Sequence, residues 1–190
     1  MRDASTAPSK RRVFWIAAAL VVVLDVFTKQ LAERLLTPHL PVRVFGNVGR
    51  LTLVYNKGAA FSMSLGEDYN RYIFGAFALV ALVILWRLAR QSGGDSVKAL
   101  ALGLAWGGAA GNLIDRMRGD QGVVDFIDLG VGTVRFWTFN VADSAVTIGA
   151  VLLGFVLWGE DRAAARRKAE ERNAQRSAGR TDKLDERTGT

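Results

Sequence analysis

Residues 13–36 read VFWIAAALVVVLDVFTKQLAERLL. The first twelve of them are apolar without interruption, and the helical pattern continues through Asp25 and Lys29 to Leu36. At a rise of about 1.5 Å per residue, such a helix crosses a hydrocarbon core about 30 Å thick. The stretch therefore predicts a membrane-spanning helix that carries two ionisable residues.

Three further apolar segments lie at 72–90, 97–116 and 141–159. Each reaches the length of a span once flanking cations and interfacial tryptophans such as Trp86 and Trp158 are included. We therefore predict an all-α integral membrane protein. It has four transmembrane helices, a small extracytoplasmic β-sheet and short extracytoplasmic loops.

Charge placement predicts how the chain is arranged across the membrane. We expect a cytoplasmic N-terminal segment at 1–12, a membrane domain at 13–160 and a charged, flexible cytoplasmic tail at 161–190. These termini and the connection between the second and third spans carry more than twice as many Lys and Arg residues as the outer loops, 37–71 and 117–140. By the positive-inside rule both termini are expected to face the cytoplasm.

The two outer loops contain short runs rich in β-branched and aromatic residues, bounded by glycines. This pattern is typical of strands. It predicts a small sheet built from residues 42–45, 50–55, 123–127 and 134–137.

Composition excludes several kinds of chemistry. The chain has no cysteine, and its one histidine is His39, so neither a thiol nucleophile nor a Cys- or His-rich metal site is available. The net charge is +7, but the basic residues flank apolar segments instead of forming a stripe, which argues against nucleic-acid binding. We expect no metal and no cofactor.

Two pairs of polar residues share a helix face at or near membrane depth, where such groups are functional candidates. Asp25 and Lys29 are four residues apart, which favours an ion pair; a catalytic lysine or a support for the outer loop are the alternatives. Asn112 and Arg116 form the second pair. They either contact a neighbouring helix and the interface or present donors to a substrate.

Several outer aspartates are candidates for acid–base chemistry. Asn140 is a good N-cap with Asp143 three residues later, and Asp125 lies in a short hydrophobic strand. Two carboxylates that share a site hold one proton between them, so that one activates water and the other protonates a leaving amine. The spacing leaves the pairing open among Asp115, Asp120, Asp125, Asp128 and Asp143.

A turn motif, NKGAAFS, occupies residues 56–62 and follows a predicted strand. Asn56 and Gly58 are common turn residues, so the motif can be an ordinary turn. Alternatively, the Asn56 side chain and the backbone N–H groups at Gly58 face a peptide substrate.

Five ordered motifs together resemble one family, lipoprotein signal peptidase (signal peptidase II), the bacterial membrane aspartic protease. The resemblance covers residues 13–160; the charged tail lies outside it. One departure is Val26, where the family often has Gln. The motifs are Asp25-Val26-Phe27-Thr28-Lys29, Asn56-Lys57-Gly58-Ala59-Ala60-Phe61-Ser62, Gly111-Asn112-Leu113-Ile114-Asp115-Arg116, Val123-Val124-Asp125-Phe126 and Phe139-Asn140-Val141-Ala142-Asp143.

The resemblance implies an aspartic endopeptidase that removes signal peptides from prolipoproteins, cutting before a cysteine that carries a diacylglyceryl group. It implies that Asp125 and Asp143 are the catalytic dyad and that Asp115 is structural. The expected partners are the lipidated substrate, membrane lipid and the peptide antibiotic globomycin. It also implies that the other motif residues line or support the site: Asp25, Lys29, Asn56, Gly58, Asn112, Arg116 and Asn140.

Two other functions compete with this interpretation. One is a Ser/Lys membrane hydrolase in which Lys29 activates a serine, with Ser62, Ser64 and Ser144 as candidates. The other is a proton-coupled small transporter, which predicts polar residues spread through the bilayer depth. A scaffold without catalysis needs no paired carboxylates.

Overall fold

The computed structural model describes residues 10–58, 67–91 and 95–188. This part of the chain contains four long helices: α1 (Lys10–Leu35), α2 (Glu67–Gln91), α3 (Ser96–Arg118) and α4 (Val141–Thr188). Each of the four is long and apolar enough to cross a membrane. The predicted fold class, a multi-pass helical membrane protein with a small sheet, is confirmed.

The helices extend beyond the predicted spans. Helix α2 begins at Glu67, and α4 continues as helix through the charged region to Thr188. The chain forms two compact units, Met1–Leu153 and Gly154–Thr190. Within the second unit, the Arg162 guanidinium lies 4.0 Å from the centre of the Trp158 ring. The assignment of 161–190 as a separate cytoplasmic tail stays a prediction.

Helix α3 contacts α1 through a row of glycines. A Cβ atom on Gly103 would lie 2.6 Å from the Phe14 carbonyl oxygen, and one on Gly111 would lie 2.5 Å from the Asp25 carboxylate. Only residues without a side chain allow two helix backbones to approach this closely. The row therefore brings Asp25 of α1 against the C-terminal half of α3.

The sheet lies between the helices in sequence and has the antiparallel order β1-β2-β3-β4. Strand β1 begins and ends at the predicted residues, 42 and 45. Strand β3 is longer than predicted because its second half pairs with the start of β2. Strand β4 is shorter than predicted and ends at Arg135. The strands are β1 (Val42–Phe45), β2 (Gly49–Asn56), β3 (Val123–Val131) and β4 (Val134–Arg135).

The segment after β4 returns to β3 before α4 begins. The N–H of Ile127 donates to the Phe139 carbonyl at 2.8 Å, and the N–H of Phe139 donates back at 3.0 Å. This exchange holds the chain beside β3, where Val124 and Phe126 belong to a small hydrophobic core. The first residue of α4 therefore starts next to the middle of β3.

Candidate active site

Helix α4 begins with a reciprocal cap. The Asn140 side-chain oxygen accepts from the Asp143 N–H at 2.9 Å, and the Asp143 carboxylate accepts from the Asn140 N–H at 3.3 Å. Such pairs satisfy N–H groups that have no partner within the helix. The predicted N-cap is confirmed, and it fixes the position of the Asp143 carboxylate.

The Asp125 carboxylate lies on β3 and contacts the same cap. Its Oδ1 accepts from the Asn140 amide at 2.7 Å, and its Oδ2 accepts from the Asn56 amide at 3.0 Å. Asp125 is only 2% exposed and Asn140 is completely buried. One asparagine therefore bridges two carboxylates that come from different elements.

Asn112 of α3 provides the second link between the elements. Its amide nitrogen donates to Asp143 Oδ1 at 2.7 Å. Its oxygen accepts from Lys29 Nζ at 2.9 Å and from the Asn140 amide at 3.1 Å. Because both of these partners are donors, they fix which end of the Asn112 amide faces the Asp143 carboxylate.

Lys29 is fully buried beneath the site. Its ammonium lies 2.7 Å from the Asp25 carboxylate and 2.8 Å from that of Asp115. Asp25 accepts from the Ala142 N–H at 2.9 Å, and Asp115 accepts from the Val124 N–H at 3.2 Å. The cluster thus ties α1 both to the start of α4 and to the strand that carries Asp125.

Burial, the largest influence, raises the pKa of Asp125 from its ordinary 3.8 to about 6. The hydrogen bond from Asn56 lowers this pKa, whereas repulsion from Asp143 raises it further. A carboxyl group with a pKa near 6 retains a proton well above the range of an exposed aspartate. Asp125 can therefore keep a proton up to about pH 6, which suits it to donate one.

A cavity of about 920 Å³ opens onto both carboxylates. Asn56, Asp125 and Asp143 supply polar groups, and Phe136 and Trp137 form part of its apolar wall. These two aromatic residues were not predicted from the sequence as part of the site. Their position just before the N-cap is the only signal in the sequence that could have indicated it.

The other three aspartates that the spacing left as candidates have different partners. Asp115 contacts Lys29, and Asp120 forms an ion pair with Arg71. Asp128 accepts from Arg135 at 2.6 Å. Among the aspartates that the structure describes, only Asp125 and Asp143 therefore accept from the side-chain amides of Asn112 and Asn140.

Two predicted site residues lie at the edge of this arrangement. Gly58 has φ +98°, and its N–H donates to the Asn56 side chain at 2.9 Å, so it forms the turn that orients Asn56. Arg116 donates to the Asn112 carbonyl at 3.0 Å and lies 5.6 Å from the centre of the Phe74 ring. Its guanidinium supports α3 and attracts the nearby carboxylates, including that of Asp125.

The serines of the competing hydrolase do not meet Lys29 in the described part of the chain. Ser144 donates to the Asn140 carbonyl at 2.9 Å, while Lys29 contacts Asp25, Asp115 and Asn112. Ser62 and Ser64 lie outside the described residues. Within the described ranges, no group of three or more His, Cys, Asp or Glu residues is placed to hold a metal ion.

Four potential spans and a buried acid–amide site at one end of the bundle define a polytopic membrane protein with a preorganised polar centre. Residues 17–158 match the family described as signal peptidase (SPase) II. The chain belongs to this family of membrane peptidases.

Relatives and solved structures agree with this membership. The lipoprotein signal peptidase of Mycolicibacterium smegmatis is 39% identical in an alignment of 192 positions, which covers 97% of this chain and 78% of the relative. That of Geobacillus kaustophilus is 41% identical over 140 residues, covering 74% and 88%. A bacterial membrane enzyme solved by the in meso method at 1.9 Å resolution is 29% identical, with a TM-score of 0.68; the match covers 75% of this chain and 90% of that one.

Proposed function

We propose that this protein removes signal peptides from bacterial prolipoproteins, cutting on the N-terminal side of a cysteine that carries a diacylglyceryl group. The observation that carries the proposal is the linkage of the Asp125 and Asp143 carboxylates through Asn140 at the wall of one cavity. The names of the relatives supply the substrate class. Globomycin-type peptides bind in the same cavity.

In the proposed mechanism the two carboxylates share one proton. Asp125, the more buried of the two, carries it in the free enzyme. Asp143 takes a proton from water, which attacks the scissile carbonyl carbon. Asp125 then gives its proton to the nitrogen of the lipidated cysteine as the C–N bond breaks. The products are a signal peptide with a new carboxyl group and a lipoprotein with a free amine.

The placement in the membrane follows from charge and from the position of the site. With both termini in the cytoplasm of a bacterial cell, the connections that hold the sheet face outward from the inner membrane. The cavity then lies at the outer surface, where the cleavage site of an anchored signal peptide is located. The lipid chains of the substrate remain in the bilayer. We propose no cofactor, because the two carboxylates and water are sufficient for hydrolysis.

The substrate assignment is tested with purified protein in detergent and two matched substrates. One prolipoprotein carries diacylglyceryl-cysteine, and the other is the same chain without lipid. We expect a gel shift only with the lipidated chain, a product mass that begins at the modified cysteine, and inhibition by globomycin. Equal rates on the two substrates, or a cut at another bond, would contradict the proposal.

The proton held by Asp125 predicts how activity depends on pH. Because the raised pKa of about 6 belongs to the proposed acid, its protonated fraction falls as pH rises through that value. We therefore expect kcat/KM to fall on the alkaline side, approaching tenfold per pH unit. A rate that keeps rising well above neutral pH would contradict a shared proton.

Asn56 allows a sharper version of this experiment. Its amide stabilises the charged form of Asp125, so Asn56→Ala is expected to move the alkaline limb to higher pH by roughly one unit. Ser144→Ala is the matched control, since Ser144 lines the same cavity but donates to the Asn140 carbonyl. A limb that stays in place in Asn56→Ala would show that this pKa does not govern the rate.

The charged region after the fourth span is expected to be dispensable for cleavage. A chain that ends at Gly159 retains every residue of the polar site and, in the proposed orientation, loses only cytoplasmic residues. We expect it to cleave at about the wild-type rate in detergent, with the same truncation carrying Asp143→Asn as the inactive control. Loss of activity in truncated protein that is stably inserted would contradict this assignment.

A further inference from the structure

A second cavity lies between α1 and α2, near the start of α1 and the end of α2. Its volume is about 360 Å³. It combines three cationic side chains with aromatic ones, and the residues that line it are Lys10, Arg11, Phe14, Trp15, Trp86, Ala89 and Arg90.

This cavity is remote from the aspartates. Arg11 and Lys29 lie on the same helix, α1, and are separated by 18 residues, which corresponds to about 27 Å of helix. The cavity is therefore a different place from the polar site and belongs to the opposite end of the bundle. In the proposed orientation it lies at the cytoplasmic surface of the membrane.

The walls of this cavity are fixed by packing. Phe14 is 3% exposed and belongs to a hydrophobic core with Ala99 and Leu102. The Trp15 ring meets the Trp106 ring edge-to-face at 5.2 Å between centroids. Because these contacts hold the floor and one side in place, the cavity exists before any ligand arrives.

The charges of the cavity have one sign. Arg90 lies over the Trp86 ring at 5.0 Å from its centroid, which holds the guanidinium at the cavity wall. The lining residues all belong to the described part of the chain, and none of them is acidic. The cavity is therefore suited to an anion whose remaining parts are apolar.

A groove of about 570 Å³ continues from this cavity along α1. The groove shares Arg11 and Trp15 with the cavity, and Arg12, Ile16 and Ala19 complete its lining. Ile16 is 57% exposed and lies within the membrane-spanning part of α1. The arginines lie at the end of the groove next to the cavity, and Ile16 and Ala19 make its other end apolar. A cationic cavity that leads into such a groove matches a charged headgroup joined to an acyl chain.

We propose that this cavity binds one anionic phospholipid. The phosphate lies between Arg11 and Arg90, with Lys10 nearby, and one acyl chain follows the groove along Trp15 and Ile16. A site of this kind anchors the inner ends of α1 and α2 to the lipid of one leaflet. The proposal depends on the membrane placement described above and not on the reaction at Asp125 and Asp143.

The test is a lipid titration of the purified full-length protein in detergent, read by native mass spectrometry. The probes are phosphatidylglycerol and phosphatidylcholine with identical acyl chains, and soluble glycerol 3-phosphate as competitor. We expect Arg11→Gln or Arg90→Gln to weaken phosphatidylglycerol binding roughly fivefold, and the double variant roughly 25-fold. Arg87→Gln is the matched control, because it removes an exposed arginine of α2 that lines neither cavity.

Each other outcome overturns the proposal in its own way. Equal losses in Arg87→Gln and Arg90→Gln would show general attraction to a basic surface. Equal binding of the two lipids would show that the charge of the headgroup is not recognised. Displacement of the lipid by glycerol 3-phosphate at a similar concentration would identify a site for soluble phosphate. Thermal unfolding of each variant in the same detergent verifies that the comparison is made on folded protein.

Discussion

Asparagine in place of Asp125 or Asp143 is expected to lower the rate of prolipoprotein cleavage by roughly 10³- to 10⁴-fold, with the protein still folded. An amide occupies nearly the same space as a carboxylic acid but neither accepts a proton from water nor gives one to the leaving amine. Each residue accepts one hydrogen bond from Asn140, and the oxygen of an asparagine can still accept it. The amide nitrogen then faces a second donor, Asn56 at position 125 or Asn112 at position 143, so one hydrogen bond is lost while the side-chain volume is kept. The main loss should therefore appear in turnover, and thermal unfolding measures the smaller cost in stability.

Initial rates on the lipidated substrate provide the measurement, and thermal unfolding in the same detergent provides the test of folding. Asp120→Asn is the matched control. It removes a carboxylate from the connection between α3 and β3, where the side chain is 90% exposed and pairs with Arg71 at the surface. We expect the control to cleave at about the wild-type rate. Cleavage near that rate by Asp125→Asn or Asp143→Asn would show that the chemistry lies elsewhere.

Lys29→Met is expected to destabilise the protein by about 3–5 kcal/mol. The side chains of Lys29 and Asp25 are completely buried, and that of Asp115 is 3% exposed. Without the ammonium, the two buried carboxylates lose the cation that contacts both of them. The variant also removes one of the two hydrogen bonds that the Asn112 oxygen accepts, while the one from the Asn140 amide remains.

The free energy of unfolding, or the shift in Tm in detergent, measures this effect. Arg87→Met, which removes an exposed cation of α2, is the control for loss of charge. A triple variant that combines Lys29→Met with Asp25→Asn and Asp115→Asn removes the unpaired charges. We expect it to regain much of the stability but little of the activity. A Tm of Lys29→Met equal to that of the wild type would contradict the structural role of the cluster.

Local features of this fold could be predicted because they depend on neighbouring residues. The apolar run at 13–24 is long enough to predict a span by itself. The strand at 42–45 follows from its alternating β-branched residues, and the cap at Asn140 follows from residue type and spacing. In each case the interactions that form the element lie within a few residues of each other.

The pairing of the carboxylates could not be predicted from spacing. Asp115, Asp125 and Asp128 all lie in one stretch of the sequence with similar neighbours. They differ in partners that are distant along the chain: Lys29 for the first, Asn56 for the second and Thr52 for the third. Resemblance to a family pointed to Asp125, whereas elementary spacing rules left the choice open.

The aromatic wall of the cavity at Asp125 and Asp143 was not predicted, for a related reason. Phe136 and Trp137 read as the end of a strand because aromatic residues favour strands. The strand instead ends at Arg135, followed by one backbone hydrogen bond from the Phe136 N–H to the Leu129 carbonyl, and the chain pairs with β3 again at Phe139. This path depends on where the start of α4 lies against β3, which no local pattern encodes.

The measurement that most directly tests the central claim compares four proteins in one cleavage assay: the wild type, Asp125→Asn, Asp143→Asn and the variant with both changes. Two groups that share a proton act as a unit, and the effects of such groups are strongly non-additive. We predict that the double variant is no slower than either single variant. Losses that multiply in the double variant would contradict a dyad, because they would mean that the two aspartates act independently.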